Sequence, residues 1–196
     1  MNYLAHAFLS FGEPDILAGN MIADFVKGKK IFDLPKEVQA GIRLHRAIDE
    51  FTDHHEANRR STKLLYSACG RYSGVFTDVI YDHFLALDKH YFNQVSLASF
   101  AQKTYHALEA YRQVFPARFQ QVFYYMEKYD WLSGYGEDIN IKRSFAGIYH
   151  RAKYLSESEE AFLTYKKHYD DLLECYSLFL PDVYDFAEKY LHRLSK

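Results

Sequence analysis

Four short stretches of this chain carry residue types that bind metal ions or move protons. Asn20 and Asp24 stand four apart in GNMIADF, and His45 and Asp49 four apart in a longer amphipathic stretch. Asp78, Asp82 and His83 share a third stretch, and His6 sits among Leu4, Phe8 and Leu9. A spacing of four puts side chains on one helical face, so His45 and Asp49 can share an ion or simply pair with each other at a solvated surface. Asp82 is more demanding. On a helical wheel it falls on the stripe of Val75, Val79 and Ala86, where a carboxylate needs a cation, a metal or several hydrogen-bond donors. Asp24 is also out of place, because aspartate prefers helix caps to helix interiors. His6, alone on an apolar face, reads equally as a core histidine. Oxygen and nitrogen donors without thiolate suit Mn²⁺, Fe²⁺ or Mg²⁺, and Zn²⁺ where histidine takes part. Such an ion acidifies bound water and neutralises phosphate oxygens, which is the chemistry of phosphate-ester hydrolysis.

Basic residues lie close by in sequence. Lys27, Lys29 and Lys30 follow Asp24, Arg43 and Arg46 flank His45, and Arg59, Arg60 and Lys63 come shortly after. Singly they read as ordinary charged surface. Together they make a docking face for an acidic partner, with arginine suited to binding two phosphate oxygens at once.

Helices must position these groups. Apolar residues recur with helical period throughout, no stretch alternates with period two, and only four Pro and nine Gly interrupt the chain. The pattern predicts helices over 2–9, from Pro14 to about Lys27, 35–54, 56–69, 73–91, 96–114, 116–132, 137–154 and 158–191. Gly28 is expected to end the second of these in a left-handed residue. Residues 133–136 read as a plain loop, Ser156 and Glu159 as a capping box for the last helix, and Pro181 as its kink or break. The fold class is all-α, a single-domain helical bundle over residues 1–196.

Composition limits the function classes. Aromatic residues make up 18% of the chain, with 18 Tyr and 16 Phe, so bulky rings fill the interior. A formal charge of −2 gives no global pull toward nucleic acid or membrane. No run approaches the ~18 apolar residues of a membrane span, and the start, MNYLAHAFLSFGEPD, lacks a basic leader, so a cytoplasmic protein is expected. Cys69 and Cys175 match no metal spacing and read as buried reduced thiols. Glu-x-x-His, Walker A and G-x-G-x-x-G are all missing, which disfavours di-iron, nucleotide-triphosphatase and dinucleotide readings.

The segments MNYLAH, GNMIADF (19–25), GIRLHRAIDEFTD (41–53) and DVIYDHFLA (78–86) resemble, in order and spacing, the signatures of the acyl carrier protein phosphodiesterases. Beyond residue 90 the resemblance thins to length, aromatic-rich helices and GIYHR at 147–151. It implies hydrolysis of the phosphodiester between 4′-phosphopantetheine and a serine of holo acyl carrier protein, a small acidic partner that fits the basic cluster. It also implies a divalent metal, usually Mn²⁺, and a distant similarity to the helical HD-domain phosphohydrolases. The adjacent His-Asp pair of that pattern is reversed here as Asp82-His83. On this resemblance Asp24, His45, Asp82 and His83 are expected to bind the metal, with His6 and Asp49 in the ligand set or just behind it. Asn20, Lys27, Arg43 and Arg46 are expected to contact substrate. Asp24 or Asp49 would take the proton of the attacking water, and His6 or His83 would protonate the departing serine oxygen. Two rivals stay open: a phosphohydrolase of nucleotides or other small diesters, and a non-catalytic helical protein that binds acyl carrier protein.

Overall fold

Period-3.6 patterning with few breakers gives helices from end to end, and the class is all-α. The computed structural model describes residues 1–152 and 158–194, and no strand occurs among them. Five helices carry the candidate residues: α1 (Tyr3–Phe8), α2 (Pro14–Ile22), α3 (Lys36–His54), α4 (Glu56–Cys69) and α5 (Ser73–Leu87). The remainder are α6 (Gln94–Glu109), α7 (Ala117–Lys128), α8 (Trp131–Gly134), α9 (Asp138–Arg151), α10 (Ser158–Lys167) and α11 (Tyr169–Leu194). From Phe76 to Ala86 all but one residue of α5 is buried, as a central helix requires, and α5 packs against α1, α4, α9 and α11. Phe76, Tyr81 and Phe84 of this helix join Phe145, Tyr165 and Phe179 in one aromatic core.

The pair that matters most for the candidate site is α2 against α3. Gly19 and Gly41 face each other where the two helices cross. A methyl group added at Gly19 would lie 2.0 Å from the Val38 carbonyl oxygen, and one at Gly41 would lie 2.2 Å from that of Ile16. Both distances are far inside contact, so only glycine lets the backbones approach this closely. Gly41→Ala is therefore expected to destabilise the protein by about 3 kcal/mol, since an overpacked rigid contact outweighs the better helix propensity of alanine. An unchanged denaturation midpoint would show that the crossing can open freely.

Several boundaries differ from the sequence reading. The second helix ends at Ile22 and tightens into a 3₁₀ turn over Ala23–Phe25, so Asp24 is not in an α-helix interior. Gly28, with φ +58°, instead opens a separate 3₁₀ segment, Gly28–Asp33. The expected long final helix is two helices broken at His168, where the ring faces Asp171 at 3.4 Å, whereas α11 runs on through Pro181. The helix expected over 116–132 ends at Lys128, and the short α8 takes in Ser133 and Gly134 of the stretch expected as a plain loop. The capping box expected at Ser156 lies outside the described residues. Both cysteines are free and buried, and burial pushes the Cys69 thiol up to about 12. No described helix is long and apolar enough to cross a membrane.

Candidate active site

The glycine crossing sets Asn20 of α2 beside His45 of α3. Asn20 is fully buried, and its amide group is committed on both sides. Its nitrogen donates to the His6 carbonyl at 2.9 Å and to Ser10 Oγ at 3.1 Å, while its oxygen lies 3.1 Å from His45 Nδ1. Because the amide nitrogen already has two acceptors, His45 Nδ1–H must be the donor to Asn20. That fixes the tautomer and aims His45 Nε2 outward. It lies 3.1 Å from Asp49 Oδ2 and 3.5 Å from Asp24 Oδ1.

His6 reaches the same place from α1. Its ring stacks on His45 with centroids 3.9 Å apart, and its Nε2 is 3.3 Å from Asp49 Oδ1. Asp49 thus offers one oxygen to each imidazole. One ligand atom from each of His6, His45 and Asp49 falls within 4.8 Å of the other two. Both ring nitrogens of His6 and Nε2 of His45 are buried without a hydrogen bond of proper geometry among the described residues. A buried nitrogen left so costs about 1–3 kcal/mol, and a divalent cation accepting one lone pair from each ring would relieve two of the three. The donor set, two imidazoles with a shared carboxylate, fits such an ion.

Charge states agree with this. Burial and the neighbouring His45 lower His6 to about 4, which keeps it neutral and able to ligate. Burial works to lower His45 as well, but the carboxylates of Asp24 and Asp49 raise it to about 9, so a proton takes the place a cation would hold. Burial would raise Asp49, yet His45 and His6 hold it well below the usual carboxylate range. Asp24 is lowered by the His45 imidazole beside it, 3.5 Å away. Its side chain is 78% exposed, so the group runs from a buried floor to an open mouth.

Comparison with known proteins identifies the family. Residues 1–183 match the family model described as acyl carrier protein phosphodiesterase. A protein of that name from Photorhabdus laumondii is 31% identical over 96% of both chains, and one from Yersinia pestis is 32% identical over 92% of this chain and 94% of its own. The chain belongs to the acyl carrier protein phosphodiesterase family. It is a phosphodiesterase by that membership. No solved structure matches it, and the expected similarity to HD-domain proteins is not confirmed.

Two expected ligands of this phosphodiesterase are engaged elsewhere. Asp82, fully buried on α5, accepts the main-chain N–H of Leu4 at 2.7 Å and those of Asn2 and Ala5 at 3.3 Å each. These are unpaired donors at the start of α1, so Asp82 caps the helix that carries His6. Burial pushes its carboxyl up to about 7, against the pull of the N-terminal amine and the three amides. His83 Nδ1–H donates to the Tyr135 carbonyl at 2.6 Å, and its Nε2 lies 3.6 Å from Asp138, which ties α5 to the α8–α9 connection. Asn20 orients His45 and has no free group for phosphate. Arg46 donates to the Val26 carbonyl at 3.0 Å and Arg43 to Gln39 at 3.1 Å, and both remain exposed, as does Lys27. Arg60 is spent on α11, 2.7 Å from Glu174.

A cavity of about 460 Å³ opens from Asp24 and Asp49 toward Thr52, Asp53, Asn58 and Arg59. Met1 also lines it, its amine 3.0 Å from Asp78 and 3.8 Å from Asp49. Asn58 and Gly74, on its wall, carried no signal in the sequence. A second cavity, about 310 Å³ between Phe51 and Phe186, touches none of these groups.

Proposed function

We propose that this protein hydrolyses the phosphodiester joining 4′-phosphopantetheine to the serine of holo acyl carrier protein, using a divalent cation held by His6, His45 and Asp49, with Asp24 at its edge. The observation that carries the metal-dependent reading is the pair of unpartnered Nε2 atoms, of His6 and His45, on either side of one carboxylate in a member of this family. A bound divalent ion supplies charge neutralisation on the phosphate and a more acidic water, with Mn²⁺ the favoured choice.

The chain's own groups do the rest. Asn20 holds His45 in the tautomer whose Nε2 faces the centre, and Asp49 holds both imidazoles apart by its two oxygens. Asp24, exposed and ionised, takes the proton of the attacking water and returns it to the departing serine oxygen. His6 is held neutral and serves as a ligand rather than the acid, and His83 is too far committed to Tyr135 to act. Lys27, Lys29 and Lys30 on the segment after Asp24, with Arg43 and Arg46, form an exposed basic face beside the open mouth. That face steers an acidic carrier protein. Phe32, 69% exposed in the same segment, adds an apolar anchor.

Incubating holo acyl carrier protein with the Mn²⁺-loaded protein is expected to release the apo form, seen in intact mass as loss of the phosphopantetheinyl group. A chelator should stop the reaction and restored Mn²⁺ should revive it. Turnover of nucleotides or small diesters with none of holo carrier would give the proposal up to the small-substrate reading.

A further inference from the structure

We infer that the cavity beside the centre seats the pantetheine arm of the substrate, with Asn58 as a positioning residue for an arm amide. This rests on the phosphodiesterase reading above and adds where the non-protein side of the substrate lies.

The order of groups along α3 is the first argument. Arg46 is exposed next to His45, Asp49 follows within a turn, and Thr52 and Asp53 line the cavity a further turn along. At 1.5 Å per residue, Arg46 to Asp53 spans about 10 Å. A phosphodiester on a carrier protein has protein on one side of phosphorus and a slender arm on the other. A helix with a docking cation beside the centre and a cavity beyond both fits that arrangement.

The chemistry of the wall is the second. At about 460 Å³ the cavity is of small-molecule size. Carboxylates of Asp24, Asp49, Asp53 and Asp78 line it, and of the two cations there, the Met1 amine is paired with Asp78, leaving Arg59. Such a wall repels nucleotides and other anions. It accepts a neutral chain rich in amide N–H and hydroxyl donors, which is what the arm is. Once the phosphate is cut from serine, its added negative charge meets the same carboxylates, which favours release.

The third is Asn58. Its side chain lines the cavity, it is only 6% exposed, and its amide oxygen has no donor among the described residues. Sites built around a buried polar group discriminate for the ligand that completes it. An amide N–H of the arm is such a donor. Opposite, Gly74 in the first turn of α5 has nothing within 4 Å of where a side chain would begin. A side chain there begins in open space beside the cavity, and it favours the helix over glycine.

The test uses the full-length Mn²⁺-loaded protein, as wild type, Gly74→Phe and Asn58→Leu, each checked for helical content and melting. Pantetheine binding is followed by NMR shift changes, which need no turnover. In parallel, kcat/KM is measured for holo acyl carrier protein and for bis(p-nitrophenyl) phosphate, which has no arm. Pantetheine is expected to bind wild type saturably and both variants at least tenfold more weakly. The ratio of the two kcat/KM values should fall at least tenfold in each variant, whereas a merely structural defect lowers both in proportion. No pantetheine binding to wild type, tighter binding of AMP than of pantetheine, or an unchanged ratio in Gly74→Phe overturns the inference. Loss of turnover on both substrates in wild type would instead strike the phosphodiesterase reading, and pantetheine binding would still decide the arm site.

Discussion

His45→Gln is expected to abolish metal binding and lower hydrolysis of holo acyl carrier protein by at least about 10³-fold, equivalent to ~4 kcal/mol of transition-state stabilisation. His45 is the pivot of the centre. Its Nδ1 is committed to Asn20, and its Nε2 is within 3.5 Å of both Asp24 and Asp49. Glutamine keeps a polar group of similar length but offers no imidazole lone pair toward the cation. His83→Gln is the internal control, since His83 is bound to the Tyr135 carbonyl, and its metal content should match wild type. Metal-free protein supplies a second readout. His45 is raised to about 9, above the ~6.5 of an unfolded histidine, so its pairing contributes stability that is complete below that lower value. This contribution declines as pH rises toward 9, and the decline should vanish in His45→Gln. Wild-type turnover or full metal occupancy in this variant would move the centre elsewhere.

How far the site could be read from sequence depended on what each group binds. His45 and Asp49 were legible because their spacing alone puts them on one face, and a side chain meets a side chain there. The basic residues were legible as a set, but Arg60 could not be separated from the rest until α11 brought Glu174 against it. His6 was visible as a residue and invisible as a ligand. Its role depends on α1, packed on α2 and α5, carrying its ring to His45 and Asp49 of α3, a tertiary fact with no local pattern. Asp24 was singled out as a misfit inside a helix, but the α-helix ends at Ile22 and Asp24 lies in the 3₁₀ turn beyond it, so no local preference is violated there. Gly19 and Gly41 carried a usable signal that went unread. A glycine beside each motif, inside helices that otherwise avoid it, marks where two backbones touch. All-α architecture survived every boundary error because it rests on periodicity summed over many residues. Boundaries rest on single residues whose partners lie far along the chain.

Asp82→Ala is expected to destabilise the fold by about 4 kcal/mol, a large share of the roughly 5–15 kcal/mol that holds a domain together. The wheel placed a carboxylate on an apolar stripe, and burial of Asp82 is complete, although Val75 of that stripe is itself exposed. What sequence could not supply was its partners, since main-chain N–H groups have no residue signature. Alanine would leave the amides of Asn2, Leu4 and Ala5 facing a void at the positive end of α1. Because α1 carries His6, activity should fall with the folded fraction and recover on cooling, rather than vanish at every temperature. Asp82→Asn keeps the volume and one acceptor oxygen, while its NH₂ opposes the remaining donors. It should lose about half as much stability and bind a normal complement of metal per folded molecule. The two roles of Asp82 therefore separate cleanly. A ligand lost would empty the centre at unchanged stability, and a cap lost would loosen α1 around a centre that still fills. Asp82→Asn protein that melts like wild type yet binds no metal would return Asp82 to the ligand set.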